Sequence, residues 1–406
     1  MDSEERKQKL SRASDTADAS LSKMDRRNKK KQKLSKSQVI ASPSLSKKEL
    51  QKAMKKQNAA ALDLTRKVII TEARHSNFVF SPTSISAALT MMAAGNGSGS
   101  DKLNAVYSEI ATVVFADGSA SGSPKISMVN GVWVEQSLPV DQSLKDQFEN
   151  VFKATFTQVD FISKAEEVRI EVNKWASEHT NGLIKDILPP GSVDSQTQQV
   201  YGNALYFKGA WKDQFEKSLT KVKKFHLLNG KQVRAPFMDR SYERQYITAY
   251  KGFKVLGLPY RQGRDGGTDR KFSMYFYLPD KKDGLDNLLE EMTSTPGFLD
   301  SHIPKKKVFV GDFRIPKFKF SFGFETSRAF EGQDKVLMYH KACVEIDEQG
   351  TEAAAATCLS IGGVPKMINF VADHPFLFLI REDITGTVLF AGQIYDPSIT
   401  CRWYWG

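Results

Sequence analysis

Runs of strand-forming residues in the later part of the chain constrain the fold more than any other feature. Three of them are Gln199–Phe207, Phe272–Leu278 and Val308–Phe313. Two more, Phe376–Ile380 and Val388–Ile394, flank a short turn with an aspartate and a glycine, which predicts a β-hairpin. This part of the chain therefore favours largely antiparallel sheets.

Helix-like periodicity is concentrated earlier. Residues 49–73 and 164–180 both place apolar side chains on one side at three- and four-residue steps. Gly182 can supply the stop of the second helix, and a further apolar segment follows Pro82. Helices that precede most of the strands predict the α+β class.

The charge is unevenly distributed along the chain. The formal net charge is +11, and residues 1–48 hold 14 basic and 6 acidic residues, which leaves 44 basic and 41 acidic residues elsewhere. A segment this polar cannot offset the entropy of ordering, so we expect a disordered basic extension, a folded domain over 49–397 and a short tail over 398–406. Because the domain lacks a basic surplus, we expect no direct nucleic-acid binding.

The sequence shows no export or catalytic signature. No apolar stretch follows Met1 and no run is long enough to span a membrane, so we expect the nucleus or cytosol, with an extracellular location as the alternative. The basic run at 26–33 resembles a nuclear-import signal, and a solvated tail is the alternative interpretation. The cysteines are sparse and odd in number, which favours a reducing compartment: Cys343, Cys358 and Cys401. We expect that the chain is not an enzyme and that it binds no cofactor or metal, because its sequence contains no catalytic or metal-binding motif.

Four segments in order carry a family resemblance. They are Asn77–Ser86, Asn203–Trp211, Glu348–Ala356, and Asp373–Ile380 with its continuation Gly386–Gly392. Together they resemble the serpins, and most closely the plant serpins, over about residues 49–397.

The resemblance implies a fold and a mechanism. The serpin fold has three mostly antiparallel sheets, about eight or nine helices and an exposed reactive-centre loop, which lies here at about 350–370. A protease cleaves that loop and forms an acyl-enzyme, and the loop then inserts into the central sheet and distorts the protease. The implied partner is a serine or papain-like cysteine endopeptidase, and we expect a monomer.

The start of the loop has the composition of a mobile hinge. Small, uncharged side chains lower the cost of entry between two strands, and a glycine adds backbone freedom. Taken alone, the alanine run would favour a helical turn or a linker, because alanine is the best helix former. The surrounding segments favour the hinge: Gly350, Thr351, Glu352, Ala353, Ala354, Ala355 and Ala356.

The resemblance also implies two polar groups at the central sheet. The first, the shutter, would be a buried cluster of mutual hydrogen-bond partners: Ser81, Ser84, Asn203 and His340. The second, the breach, would lie where insertion begins: Trp211, Lys317 and Glu348. The alternatives are an ordinary core histidine, core packing of the tryptophan and two solvated charges.

The bait bond has two candidates. Counting fourteen positions from the hinge glycine selects Val364-Pro365, although a proline after the scissile bond resists most serine proteases. Lys366-Met367 offers a basic bait residue two positions later. The loop and two helix regions are shorter than in the family pattern. A non-inhibitory serpin that binds or scaffolds is therefore the alternative function.

Overall fold

The architecture comes from a computed structural model. It describes residues 46–95, 97, 101–116, 119, 122–263, 270–326, 335–348 and 367–399. These residues hold seven α-helices: α1 (Lys47–Thr71), α2 (Pro82–Gly95), α3 (Asp101–Glu109), α4 (Gln142–Asn150), α5 (Phe161–His179), α6 (Leu285–Ser294) and α7 (Phe298–Ser301). A π-helical turn, Ile110–Val114, continues α3, and a 3-10 turn spans Lys217–Leu219.

The described residues also form fifteen β-strands. They are β1 (Phe78–Phe80), β2 (Lys125–Glu135), β3 (Ala154–Val159), β4 (Gln199–Lys208), β5 (Lys221–His226), β6 (Gln232–Asp239), β7 (Arg244–Ala249), β8 (Phe253–Pro259), β9 (Phe272–Pro279), β10 (Lys307–Pro316), β11 (Phe318–Glu325), β12 (Val336–Ile346), β13 (Ile368–Val371), β14 (Phe376–Glu382) and β15 (Val388–Ile394). The predicted hairpin is confirmed, since β14 and β15 pair antiparallel.

The strands form two hydrogen-bonded sheets. The five-stranded sheet has the order β11-β12-β4-β2-β3, and the ten-stranded sheet runs β1-β15-β14-β9-β8-β7-β10-β6-β5 with β13 also on β10. Strand β10 pairs with β7 through Lys307–Phe309 and with β6 through Arg314–Pro316, so it joins two smaller sheets. Counted in this way the described residues form three sheets, and the predicted α+β class is confirmed.

Apolar side chains cover both faces of the five-stranded sheet. Successive strand residues point to opposite faces. Along β4, Tyr201 and Leu205 belong to the main core, whereas Val200 and Ala204 belong to a second core against α5. The sheet is therefore buried on both sides, which decides what a new strand would have to displace.

Helix α5 is fixed over the second face by local signals. The Asp160 side chain accepts a hydrogen bond from Ser163 N at 2.8 Å and so caps the helix. The buried carboxylate of Glu135, at the end of β2, accepts from Phe161 N at 2.7 Å, where the helix dipole favours a negative charge. Trp133 and Trp175 meet edge to face at 4.9 Å beneath the helix.

No helix among the described residues combines the length and apolar character that crossing a membrane requires.

Candidate functional site

The centre of the five-stranded sheet is a parallel seam between β4 and β12. Eight residue pairs form it, from Val336 opposite Gln199 to Cys343 opposite Tyr206. After Cys343, β12 continues to Ile346, where its only partner among the described strands is β11, so the ladder with β4 ends there. A further strand could enter between β4 and β12 only by separating this ladder.

The four shutter residues lie together beneath the middle of the seam. His340 and Asn203 are direct partners across it, with His340 Nδ1 and Asn203 Oδ1 2.6 Å apart. The hydroxyl of Ser84 donates to the same Asn203 oxygen at 2.7 Å, and the Ser81 backbone N–H donates to His340 Nε2 at 3.0 Å. All four residues are fully or almost fully buried.

The sequence around Ser81 explains why α2 begins at this point. Pro82 is the first helical residue, a position that tolerates the missing N–H. Ser81 precedes it, and its hydroxyl accepts a hydrogen bond from Ser84 N at 3.1 Å. The helix start therefore aims the Ser81 N–H and the Ser84 hydroxyl at the seam.

The hydrogen bonds fix the protonation of His340. Because Nε2 accepts from the Ser81 N–H, the single ring proton lies on Nδ1 and is donated to Asn203. Burial lowers the pKa of His340 from 6.5 to about 3, so the ring is neutral at physiological pH.

The structure adds Asn130, a member of this network that the sequence did not reveal. Asn130 lies opposite Asn203 in the β2–β4 ladder, and its Oδ1 accepts from Asn203 Nδ2 at 2.6 Å. Its own Nδ2 donates to the Phe152 carbonyl at 3.0 Å. The network thus links three neighbouring strands, and Asn203 is its centre.

The three breach residues meet at the end of the seam that follows Cys343. Trp211 is buried, stacks on Tyr260 at 4.5 Å, and donates from Nε1 to the Asp347 carbonyl at 2.9 Å. It thereby ties the segment after β4 to the segment after β12.

Glu348 is held from two sides at the breach. Its carboxylate accepts from Lys317 Nζ at 2.6 Å and from Thr220 Oγ1 at 2.7 Å. Burial alone would raise the pKa of Glu348, but the hydrogen bonds from Lys317 and Thr220 outweigh it and lower the pKa below the usual value. Thr220 is a contact that the sequence did not single out.

A covering segment over residues 183–193 is attached to the second face of the seam. Lys341 is 2% exposed, and its Nζ donates to the Asp186 carbonyl at 2.5 Å. The Tyr339 hydroxyl donates to the Ser192 carbonyl at 3.4 Å. Burial lowers the pKa of Lys341 from 10.5 to about 7, against an opposing effect of the Asp186 carboxylate. Strand insertion would have to act against these contacts.

The hinge residues Gly350–Ala356 and the bait candidates Val364, Pro365 and Lys366 lie outside the described residues. Met367 is the first described residue after them and is 41% exposed. Cys343 is buried and forms no disulfide within the described part of the chain, which does not include the other two cysteines.

Comparison with known proteins agrees with this architecture. The family model described as "Serpin (serine protease inhibitor)" matches residues 55–334 and 334–397. The chain belongs to the serpin family. Serpin-Z2 of Arabidopsis thaliana is 57% identical over 419 residues, which cover 98% of each chain. A second relative from this plant, at 60% identity and 86% coverage of each chain, is called "Probable non-inhibitory serpin-Z5".

A solved plant serpin also shares the fold. It is titled "Structure of Arabidopsis AtSerpin1. Native Stressed Conformation" and is 46% identical, with a TM-score of 0.79 over 86% of this chain and 98% of the other. The chain is thus a plant-type serpin. The roles of the hinge, shutter and breach residues remain predictions.

Proposed function

We propose that this serpin is a suicide inhibitor of serine endopeptidases, with papain-like cysteine endopeptidases as a second target class. The observation that carries the proposal is the closed parallel seam between β4 and β12. Because β4 and β12 pair directly, a further strand can be added between them by separating this ladder.

Insertion has a clear physical gain. A segment that turns back after β12 runs antiparallel to β12, and therefore also antiparallel to β4. One parallel ladder would be replaced by two antiparallel ladders, and antiparallel pairing is slightly more stable per residue. The small residues predicted at the hinge keep the steric cost of entry low.

Insertion also has a defined cost. The incoming strand must break the hydrogen bond between His340 and Asn203, because those residues would no longer be neighbours. Buried polar groups are costly when they are left without partners, so the shutter delays spontaneous insertion. The energy released by insertion after cleavage would offset this cost.

The breach would hold the loop at the starting point of insertion. Glu348 lies two residues before the hinge glycine and is bound by Lys317 and Thr220. Trp211 holds the adjacent Asp347 carbonyl. We infer that these contacts direct the hinge toward the breach end of the seam.

The chemistry belongs to the protease, and we propose no enzymatic activity for this chain. The bait bond is Val364-Pro365 or Lys366-Met367. The latter favours a trypsin-like or papain-like target, since both accept a basic residue before the scissile bond.

A protease panel tests the proposal. The chain is incubated with trypsin-like and papain-like endopeptidases, and the products are separated on a denaturing gel. We expect a denaturant-resistant complex with at least one enzyme. The hinge variants Thr351→Arg and Ala354→Arg serve as controls, because a long charged side chain opposes insertion and should convert trapping into simple cleavage. Arg variants that trap protease as well as wild type would refute the insertion model.

A non-inhibitory serpin that acts as a binding or scaffold protein is the second candidate. The name of the 60% identical relative favours it. In the same assay this candidate predicts cleavage without a stable complex for wild type and hinge variants alike.

A further inference from the structure

A cationic hairpin, residues 217–234, stands out from the rest of the serpin domain. It comprises the 3-10 turn, β5, its connection and the first three residues of β6, and contains six Lys or Arg residues and no Asp or Glu. The whole chain after residue 48 has a surplus of only three basic residues. All six basic side chains are exposed: Lys217, Lys221, Lys223, Lys224, Lys231 and Arg234.

The arrangement within the hairpin is electrostatically unfavourable. Lys224 and Arg234 lie directly opposite each other in the antiparallel β5–β6 ladder. Like charges at such positions destabilise a sheet. The ion pairs of the described residues include none of these six basic side chains. Positive charge is thus concentrated in the hairpin, as expected of a surface that meets an acidic partner.

The surface of the hairpin contains one side of a recess of about 260 Å³. Lys223, Lys224 and Arg314 line it, together with Val371 and one acid, Asp373. Asp373 is already engaged by His374, whose Nδ1 lies 2.9 Å from its carboxylate. Arg314 is paired with Asp312, whose Oδ2 lies 3.4 Å from Arg314 Nη2. The recess therefore offers the ammonium groups of Lys223 and Lys224 to an incoming carboxylate.

Apolar side chains are exposed beside these charges. Leu219 is 44% exposed, Val222 58% and Leu228 39%. Among the described strands β5 is also the terminal strand of its sheet and pairs only with β6. These apolar side chains give a protein partner area to bury beside the charges.

The hairpin lies beside the strand that follows the bait region. Val371 ends β13, the strand that directly follows the bait region, and it lines the recess. From Val364 to Val371 the chain can span at most about 25 Å, at roughly 3.5 Å per residue. A protease bound to the bait bond would therefore lie within reach of the hairpin.

We propose that the cationic hairpin is a secondary recognition surface for an acidic patch on the target endopeptidase. This inference rests on the proposed function, since it requires a protease at the bait loop. The surface would raise the rate of encounter by electrostatic steering, an effect that commonly reaches about 10-fold or more and falls with ionic strength.

The test uses two trypsin isoforms of the same specificity and opposite surface charge. The rate of bait-loop cleavage is measured by mass spectrometry of the C-terminal fragment, at low and high ionic strength. We expect the anionic isoform to cleave wild type about 10-fold faster than the cationic isoform at low ionic strength. The double variant Lys223→Glu/Lys224→Glu should reduce this preference below about 3-fold. Glu opposite Arg234 forms a favourable pair, so this variant should remain folded.

The matched control is Lys55→Glu/Lys56→Glu, which changes the same charge on two exposed lysines of α1 and should preserve the preference. Cleavage without a trapped complex would refute inhibition. The ratio of the cleavage rates of the two isoforms would still test the role of the hairpin. An unchanged preference in the hairpin variant, or no loop cleavage by either isoform, would overturn it. So would a hairpin variant that loses retention on a DNA duplex with unchanged cleavage rates, because the surface would then bind polyanions.

Discussion

Replacing Lys341 by methionine should stabilise the native protein in a pH-dependent way. Lys341 lies on the seam strand β12, is 2% exposed, and has a pKa lowered by burial from 10.5 to about 7. The unfolded chain therefore takes up a proton below pH 10.5, whereas the folded chain does so only below about pH 7. The free energy of unfolding should fall as pH decreases from 10.5 to 7 and stay reduced below that.

The size of the effect follows from the shift in pKa. Each pKa unit corresponds to 1.36 kcal/mol, so the full difference amounts to about 5 kcal/mol. Methionine fills similar space and carries no charge. At pH 6.5 we expect Lys341→Met to increase the free energy of unfolding by about 3–5 kcal/mol, and near pH 10 by less than about 1 kcal/mol.

Urea unfolding at several pH values measures this difference without adding salt. Lys174→Met, on the outer surface of α5, provides the control, because Lys174 is 74% exposed and should show no such pH dependence. A gain for Lys341→Met that is equal at pH 6.5 and pH 10 would show that Lys341 is not held as a desolvated amine.

The other predictions concern the shutter, the bait bond and the tail. Because burial lowers the pKa of His340 to about 3, the free energy of unfolding should fall as pH decreases from 6.5 toward 3, and a His340→Gln variant should lose this slope in acid urea titrations. Mass spectrometry of the C-terminal fragment should show whether cleavage follows Val364 or Lys366; if it follows Val364, Pro365→Ser should accelerate it. Deleting residues 1–47 should leave the thermal midpoint nearly unchanged and reduce nuclear accumulation in a fluorescence assay; a truncated chain that still concentrates in the nucleus would rule out the import signal.

The sequence predicts elements whose periodicity is strong. The hairpin of β14 and β15 and the helix α5 are both present, with α5 beginning three residues earlier than predicted. Strand β5 was not predicted, because its lysines resemble a solvated loop. An exposed edge strand does not need the apolar alternation of a buried one.

The shutter residues were grouped by family resemblance, and their contacts could be confirmed only in three dimensions. Asn130 is 73 positions from Asn203, and nothing in its local sequence marks it as a partner. The burial of Lys341 could not be predicted from the sequence either. A strand residue next to a buried histidine points to the opposite face, so the lysine would be expected to face solvent. The covering segment, 155 positions away in sequence at Asp186, buries it instead.

A structure of the serpin after loop cleavage tests the central claim most directly. Neighbouring strands are about 4.8 Å apart, so insertion of a strand should raise the separation of the His340 and Asn203 Cα atoms to about 10 Å. We expect residues from Thr351 onward to lie between β4 and β12, antiparallel to both, with the His340–Asn203 hydrogen bond broken. A cleaved chain that keeps the eight-pair ladder between Val336–Cys343 and Gln199–Tyr206 would contradict the account.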